Sequence, residues 1–260
     1  MKNKNIQTQH LNSYIAPQSD ETAALCKLYL NYLSTPADWD PTKNIAREST
    51  RNIFSRSLKL YDQSKSSWDN LSQTPLKNIW IWSDLHIGHA NIIHYANRQV
   101  QNVEQMNELM CANAINLVGN DDWLIFGGDV AMKNQDVLSQ WLKRCPGRKM
   151  LILGNHDLDR VDHWIDLGFE GVSPVWVQPL RSSEVPLMSS TPETLWWTHY
   201  PLAKHLISSA IVNVHGHIHD KRLQGPWLNI CVEHQSLAPE RLDHRLARWS
   251  PNADTPRIIY

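Results

Sequence analysis

The amino-acid sequence predicts an α/β fold with two packed sheets and a helical N-terminal extension. Between residues 78 and 153, short apolar runs alternate with stretches of helical periodicity, and this alternation indicates an α/β core. Beyond residue 170 the apolar runs follow one another with few helical stretches between them, which predicts a second, more β-rich sheet packed on the first. A chain of 260 residues is long enough for one such domain and a small appendage.

The predicted elements are placed by apolar periodicity and by turn residues. Residues 21–33 and 45–61 have helical spacing and are separated by a proline-containing break. We therefore assign residues 1–75 to a helical, partly flexible extension and residues 76–260 to the main domain. Strands are predicted at residues 79–83, 123–126, 150–153, 172–177, 195–198, 211–215 and 227–232, and further helices at residues 103–118, 136–144 and 239–248.

Charge and cysteine content exclude several classes of protein. The 25 Lys and Arg residues nearly balance the 26 Asp and Glu residues, so no global field draws the chain onto nucleic acid or an anionic membrane. The four cysteines have no Cys-x-x-Cys spacing, which predicts neither a thiolate zinc site nor a disulfide framework and favours a cytoplasmic location. No signal-peptide pattern and no run of about 18 apolar residues occurs, so we expect no membrane partner.

Polar side chains follow each of the first three predicted strands. The first strand is followed by Asp84-Leu85-His86, the second by Gly127-Gly128-Asp129, and the third by Gly154-Asn155-His156-Asp157. Because the carboxyl ends of the strands form the ligand crevice of an open α/β sheet, we expect these groups to share one site.

Two histidine motifs in the β-rich half complete the set. His199 follows one predicted strand, and the run His-Gly-His-Ile-His at residues 215–219 lies at the end of the next. Asp84 and His86 are two residues apart, as are the last two histidines of that run, and in extended backbone such pairs point the same way. Asp, His and Asn ligands without Cys suit divalent ions such as Mn, Fe or Zn, and their number suits two ions sharing a carboxylate. The candidate ligands are Asp84, His86, Asp129, Asn155, His199, His217 and His219.

In this order the motifs resemble the pattern of the calcineurin-like metallophosphoesterase family: Asp-x-His, Gly-Asp, Gly-Asn-His-(Asp/Glu), His and Gly-His-x-His. The resemblance covers about residues 78–245 and implies a four-layer α/β/β/α sandwich of two mixed sheets. Residues 83–93, with Asn97-Arg98 and Gly147-Arg148-Lys149, are also similar to a bacterial and phage subgroup whose members are often directed at nucleotides or linked to nucleic acids.

The resemblance implies a centre of two divalent ions, for which we expect Mn, with Fe, Zn, Ni or Mg as alternatives. It assigns Asp84, His86 and His219 to one ion. It assigns Asn155, His199 and His217 to the other, with Asp129 bridging the two.

The implied reaction is hydrolysis of a phosphoester, in which a hydroxide shared by the two ions attacks phosphorus. His156 is the histidine that does not bind metal, and it is expected to donate a proton or hydrogen bond to the leaving oxygen. For Asp157, two roles are open: holding the His156 imidazole in register, or capping the turn. His89 either contacts the substrate phosphate or caps the following helix. Arg98 either pairs with a phosphate or forms a surface salt bridge.

Several functions are compatible with this site. We expect a phosphodiesterase acting on nucleotides or nucleic-acid-derived substrates. A DNA or RNA nuclease is a rival that near-neutral charge weakly opposes, because binding a phosphate backbone uses clustered Lys and Arg. The alternatives are a phosphomonoesterase on small molecules and a catalytically silent binding module on the same fold. The N-terminal helices are a candidate surface for a protein partner or for self-association.

Overall fold

The computed structural model describes residues 21–32, 57, 59–131, 135–157, 163–181 and 192–250. Most of the helix predicted at residues 45–61 lies outside these ranges, although residue 57 and residues 59–63 are helical. The assignment of residues 1–75 to a separate extension stays a prediction.

The first sheet has the strand order β4-β3-β2-β1-β9. Its strands are β1 (Ile79–Trp82), β2 (Trp123–Phe126), β3 (Arg148–Ile152), β4 (Phe169–Ser173) and β9 (Glu240–Arg241). Strands β1 to β4 pair in parallel, whereas β9 runs antiparallel to β1. The sheet is therefore mixed, and the carboxyl ends of its parallel strands lie at one edge.

The second sheet has the order β5-β6-β7-β8. Its strands are β5 (Val175–Pro179), β6 (Thr194–Thr198), β7 (Ile211–His215) and β8 (Trp227–Asn229). Strand β5 is antiparallel to β6, while β6, β7 and β8 are parallel. With two mixed sheets and flanking helices, the predicted α/β sandwich is confirmed.

Besides the helical residues 57 and 59–63, six helices accompany these strands in the described residues: α1 (Glu21–Tyr32), α2 (Lys65–Gln73), α3 (Ile92–Tyr95), α4 (Val103–Leu117), α5 (Gln135–Arg144) and α6 (Leu242–Arg248). Three short 3-10 turns occur at Leu76–Asn78, Lys204–Leu206 and Val232–His234. Helix α4 begins after Asn102, whose side chain accepts a hydrogen bond from the amide of Gln105 at 2.8 Å. This N-cap satisfies one of the amides that the first turn of a helix leaves without a partner.

Side chains alternate between the two faces of each strand, and this alternation supplies apolar residues to the layers on both sides of a sheet. In β1, Ile79 and Ile81 join a cluster between the two sheets, while Trp82 points to the opposite face, towards α4 and α5. Strand β5 behaves in the same way, because Trp176 faces the other sheet and its neighbours face α1. The inner cluster draws on both sheets and includes Ile79, Ile81, Ile125, Met150, Ile152, Trp176, Leu195, Trp197, Val212, Val214 and Leu228.

Helix α1 is part of this packing. Its Leu25, Cys26 and Tyr29 are buried. The hydroxyl of Thr22 accepts a hydrogen bond from the amide of Val177 on β5 at 3.2 Å, so the helix covers the free edge of that strand.

The single strand predicted at residues 172–177 is wrong. The chain leaves the first sheet at Ser173 and enters the second at Val175, with Pro174 as the only residue between the two strands. The hydroxyl of Ser173 donates to the carbonyl of Val175 across this corner. Proline lacks an amide hydrogen and interrupts the ladder. Because residues 171–178 are buried throughout, hydrophobic patterning carried no sign of the change of sheet.

Candidate metal centre

The candidate centre lies where the loops after β1, β2 and β3 meet those after β6 and β7. Hydrogen bonds between backbones join the first two loops, from the amide of Asp84 to the carbonyl of Gly128 (2.9 Å) and from the amide of His86 to the carbonyl of Asp129 (3.0 Å). Gly128 has a φ of +105°, and a Cβ there would lie 2.7 Å from the amide nitrogen of Gly154. A side chain at this position would therefore push the loops apart.

Left-handed backbone is concentrated at this centre. Among the described non-glycine residues, eight have a positive φ, and five of these are predicted metal ligands. The five are Asp84 (58°), His86 (53°), Asp129 (52°), His217 (70°) and His219 (51°). The sequence-based argument that the Asp-x-His and His-x-His pairs lie in extended backbone is therefore wrong. Left-handed residues cost on the order of 1–2 kcal/mol each, and the surrounding structure must stabilise them.

A first group consists of Asp84, His86 and His219. The Nε2 atoms of His86 and His219 lie 4.0 and 3.9 Å from Oδ1 of Asp84. These separations are too long for hydrogen bonds. They are short enough for ligands of one ion, because two atoms that each bind an ion at about 2.0–2.2 Å lie at most about 4.4 Å apart.

A second group consists of Asp129, His199 and His217, whose candidate ligand atoms lie within 4.8 Å of one another. Nε2 of His199 is 3.4 Å from Oδ2 of Asp129. The Nδ1 atom of His199 lies 2.9 Å from the carbonyl of Gly127. A carbonyl can only accept a hydrogen bond, so Nδ1 carries the hydrogen, and in the neutral ring Nε2 presents a lone pair to the centre.

Asp129 lies between the two groups. Its Oδ2 is 3.8 Å from Nε2 of His86 in the first group and 3.4 Å from Nε2 of His199 in the second. Its Oδ1 accepts a hydrogen bond from the backbone amide of His156 at 2.8 Å. One oxygen of this carboxylate is thus held by the backbone, while the other faces both groups.

Several buried atoms of the centre have no hydrogen-bond partner among the described residues, although such atoms are rare in folded proteins. They include Oδ1 of Asp84, Nε2 of His86, Oδ1 of Asn155 and Nε2 of His199. Each is a lone-pair donor in the form that binds a divalent ion. The residues present therefore suit a metal centre.

The buried carboxylates of the centre carry negative charge that bound cations would compensate. Burial raises the pKa of the Asp84 carboxyl, but His199 and His219 outweigh burial and lower this pKa to about 2. Burial lowers the pKa of His86 and of His217 to about 4, which leaves both rings neutral. Burial also acts to lower the pKa of His199, but Asp129 and Asp84 raise it to about 10. Without an ion, a proton on His199 compensates the two buried carboxylates.

Comparison with known proteins decides the family. The pattern described as calcineurin-like phosphoesterase matches residues 77–255. The chain belongs to this family. Metal-dependent hydrolysis of phosphoesters is the activity that the family implies.

Individual relatives of the chain are matched over part of their length. An uncharacterized protein of Methanocaldococcus jannaschii is 37% identical over 84 residues, which are 32% of this chain and 48% of that protein. The gene 66 protein of Mycobacterium phage L5 is 38% identical over 85 residues, 32% of this chain and 41% of that protein. The chain therefore covers less than half the length of these relatives.

Solved structures are similar at low identity. A protein of unknown function from Aquifex aeolicus is 21% identical, with a TM-score of 0.48, over 62% of this chain and 93% of that one. The phosphopantetheinyl hydrolase of Mycobacterium tuberculosis is 21% identical, with a TM-score of 0.23, over 47% of this chain and 42% of that one. No described helix of the chain combines the length and apolar character needed to cross a membrane.

Residues that the sequence analysis missed support Asp84. Its Oδ2 accepts hydrogen bonds from the hydroxyl of Ser83 (2.6 Å), the amide of His217 (2.9 Å) and the thiol of Cys231 (3.2 Å). These contacts occupy one carboxylate oxygen and leave Oδ1 for the centre. Ser83 adjoins the first motif, but Cys231 is 147 residues away and no local pattern marked it.

The buried Asp157 accepts hydrogen bonds from backbone amides through both side-chain oxygens. Its Oδ2 accepts from the amides of Asp129 (2.7 Å) and Gly154 (2.9 Å), and its Oδ1 accepts from the amide of Val130 (3.0 Å). Both oxygens are therefore used by backbone between the loops after β2 and β3. This arrangement favours the capping role over the alternative of orienting the His156 ring.

Two other candidates lie on the exposed side of the centre. The His156 side chain is 39% exposed, and its Nε2 is 3.9 Å from Oδ2 of Asp129. The half-buried ring of His89 lies with its centroid 5.6 Å from that of His86.

Arg98 differs from both roles expected of it. Its side chain is only 1% exposed and forms an ion pair with the buried Glu233 at 2.7 Å. Further hydrogen bonds run from its guanidinium to the carbonyls of Asp84 (2.6 Å) and Leu85 (2.7 Å). With its donors used inside the protein, Arg98 is neither a surface salt bridge nor a clamp open to a phosphate.

Proposed function

We propose that this chain hydrolyses phosphoesters at a two-ion centre. Asp129 carries the proposal, because one of its oxygens faces both groups of candidate ligands. A carboxylate in that position is what two neighbouring cations share. The ligands of the first ion are Asp84, His86 and His219, those of the second are Asn155, His199 and His217, and Asp129 serves both.

When bound, the ions supply positive charge to the phosphoryl group and lower the pKa of a water nucleophile. The residues around them then bind and orient the ester. His156 is not needed as a ligand, and its half-exposed ring is free to hydrogen-bond the leaving oxygen. His89 lies on the same side and contacts the phosphoryl oxygens.

The donor set points to metals of intermediate hardness. It combines imidazoles with carboxylate and amide oxygens and contains no thiolate. We favour Mn, which carboxylate and amide oxygens suit, with Fe, Zn, Ni and Mg as alternatives.

A nucleotide-like phosphodiester is the substrate class that we favour. Tyr95 is 77% exposed, and its ring centroid lies 6.3 Å from that of His89. An exposed aromatic ring next to a phosphoester site offers a surface on which a base can stack. A phosphomonoesterase acting on small molecules is the second candidate, because the same two-ion centre serves both reactions.

The test compares metal-stripped and Mn-loaded protein. Bis(p-nitrophenyl) phosphate and p-nitrophenyl phosphate distinguish diester from monoester hydrolysis, and a panel of nucleotides and cyclic nucleotides then identifies the substrate class. We expect Mn-dependent hydrolysis with the diester preferred. Asp129→Asn is the control, because it keeps an oxygen for the His156 amide but removes the shared charge. Two bound ions without hydrolysis of any probe would instead identify a binding module.

A further inference from the structure

Glu233 is a buried carboxylate that connects one candidate ligand to an arginine. It lies in the 3-10 turn after β8, and its side chain is 6% exposed. Its Oε1 is 3.2 Å from Nδ1 of His219 and accepts hydrogen bonds from Nε (3.0 Å) and Nη2 (2.7 Å) of Arg98. The guanidinium of Arg98 is always charged and donates twice to this one oxygen, so the group acts as a carboxylate acceptor in a charge-assisted pair.

The other side of Arg98 holds the loop after β1. Its Nη2 donates to the carbonyl of Asp84 at 2.6 Å and its Nη1 to the carbonyl of Leu85 at 2.7 Å. Arg98 therefore joins the backbone that carries Asp84 and His86 to the carboxylate beside His219. All members of the first group are connected through this one side chain.

The contact with Glu233 determines which ring nitrogen of His219 faces the centre. A carboxylate accepts hydrogen bonds, so Nδ1 is the donor and Nε2 is directed at Oδ1 of Asp84, 3.9 Å away. A carboxylate on the far nitrogen also makes an imidazole a stronger ligand.

We propose that Glu233 and Arg98 are positioning residues that set the affinity of the first metal group without binding metal themselves. This inference rests on the proposed two-ion centre. It goes further by predicting that the two ions are held unequally. In the second group, Nδ1 of His199 is held by a neutral carbonyl, that of Gly127. Losing the Glu233 charge should therefore weaken binding of the first ion and leave binding of the second unchanged.

The experiment titrates the metal-stripped protein with Mn²⁺ by calorimetry and counts bound ions by elemental analysis after dialysis. Wild-type protein should bind two ions. In Glu233→Gln, which is nearly isosteric, the affinity for one ion should fall about 10- to 100-fold while the other stays at the wild-type value. Glu170→Gln is the matched control, since Glu170 pairs with Arg148 at 2.7 Å on a half-exposed face and touches no candidate ligand. It should bind both ions as wild type does.

A second variant covers the case in which Glu233→Gln unfolds. Arg98→Met combined with Glu233→Leu removes both buried charges together, so neither is left without a partner. This double variant should fold and show the same selective loss.

The outcomes separate this inference from the proposed function. Wild-type affinity for both ions in the variants would overturn the positioning role, and so would an equal loss of both ions in folded protein. If wild-type protein itself binds no ions, the two-ion centre is wrong.

Discussion

His156 and Asp157 are neighbours in the chain, yet their side chains have different surroundings. The His156 ring is half-exposed at the metal centre, whereas the Asp157 carboxylate is fully buried among backbone amides. Substitutions at these two positions should therefore separate chemistry from folding.

For His156→Ala we expect turnover to fall about 10²- to 10⁴-fold, the range for loss of a general acid. Metal content should stay at the wild-type level, because the ring belongs to neither ligand group. Steady-state kinetics and elemental analysis on one preparation measure both. Loss of the ions from this variant would mean that His156 is a ligand.

For Asp157→Ala we expect a loss of at least about 3 kcal/mol in the free energy of unfolding. Three buried amides lose their acceptor, and each costs about 1–3 kcal/mol. Urea unfolding measures the change. The control is Asp166→Ala, whose side chain is 80% exposed and which should stay within about 0.5 kcal/mol of wild type. Equal stability of the two variants would argue against the capping role.

At the scale of residues, local patterns marked the candidate ligands but not their supports. Asp84, Asp129 and His199 adjoin strand ends, where the sequence is informative. Glu233 is 135 residues from Arg98, and no periodicity or motif relates residues that only the fold brings together. The left-handed backbone of the ligands was also unexpected, because Asp and His adopt it more often than most residues but still in a small minority of cases.

At the scale of elements, the short helix α3 carries Tyr95 at the open side of the centre. Replacing Tyr95 with Ala should lower kcat/KM for a nucleotide substrate about 5- to 150-fold, because base stacking is worth about 1–3 kcal/mol. Hydrolysis of an alkyl phosphodiester should not change. Equal losses on both substrates would exclude stacking as the cause.

Strands of the first sheet were predictable because each is a short apolar run between turn residues. Their ends agree with the predicted ones to within two residues for β1, β2 and β3. The change of sheet at Pro174 was not predictable from the sequence. Residues on both sides of the proline are buried, so the two strands form one apolar run. The last predicted helix begins later, at Leu242, since Glu240 and Arg241 pair with β1.

At the scale of the molecule, metal binding should stabilise the fold. An ion at 100 times its Kd adds about 2.7 kcal/mol, and for a chain of this size each kcal/mol raises Tm by about 2–4 °C. Removing both ions by chelation should therefore lower Tm by about 10–20 °C. Differential scanning calorimetry at constant pH measures this shift. Asp129→Asn protein should show little response to the chelator, and an equal response would place the stabilising ion elsewhere.

The overall architecture was accessible from the sequence because alternating strands and helices, and then strands alone, indicate two sheets. The packing of α1 could not be predicted from the sequence. The hydroxyl of Tyr29 accepts a hydrogen bond from the amide of Tyr200 at 3.0 Å. The ring centroids of Tyr200 and His217 are 4.3 Å apart. The N-terminal helix thus supports the loop that carries His199, which a surface for partners alone would not require.

Each ligand group takes members from both sheets. Asp84, His86 and Asp129 belong to loops of the first sheet, whereas His199, His217 and His219 belong to loops of the second. An ion at either position would therefore link the two sheets at the edge of the sandwich where the loops meet. Motion of one sheet relative to the other would then be reduced first at that edge. Amide hydrogen exchange in the loops after β6 and β7 would therefore slow more than exchange in the strands themselves.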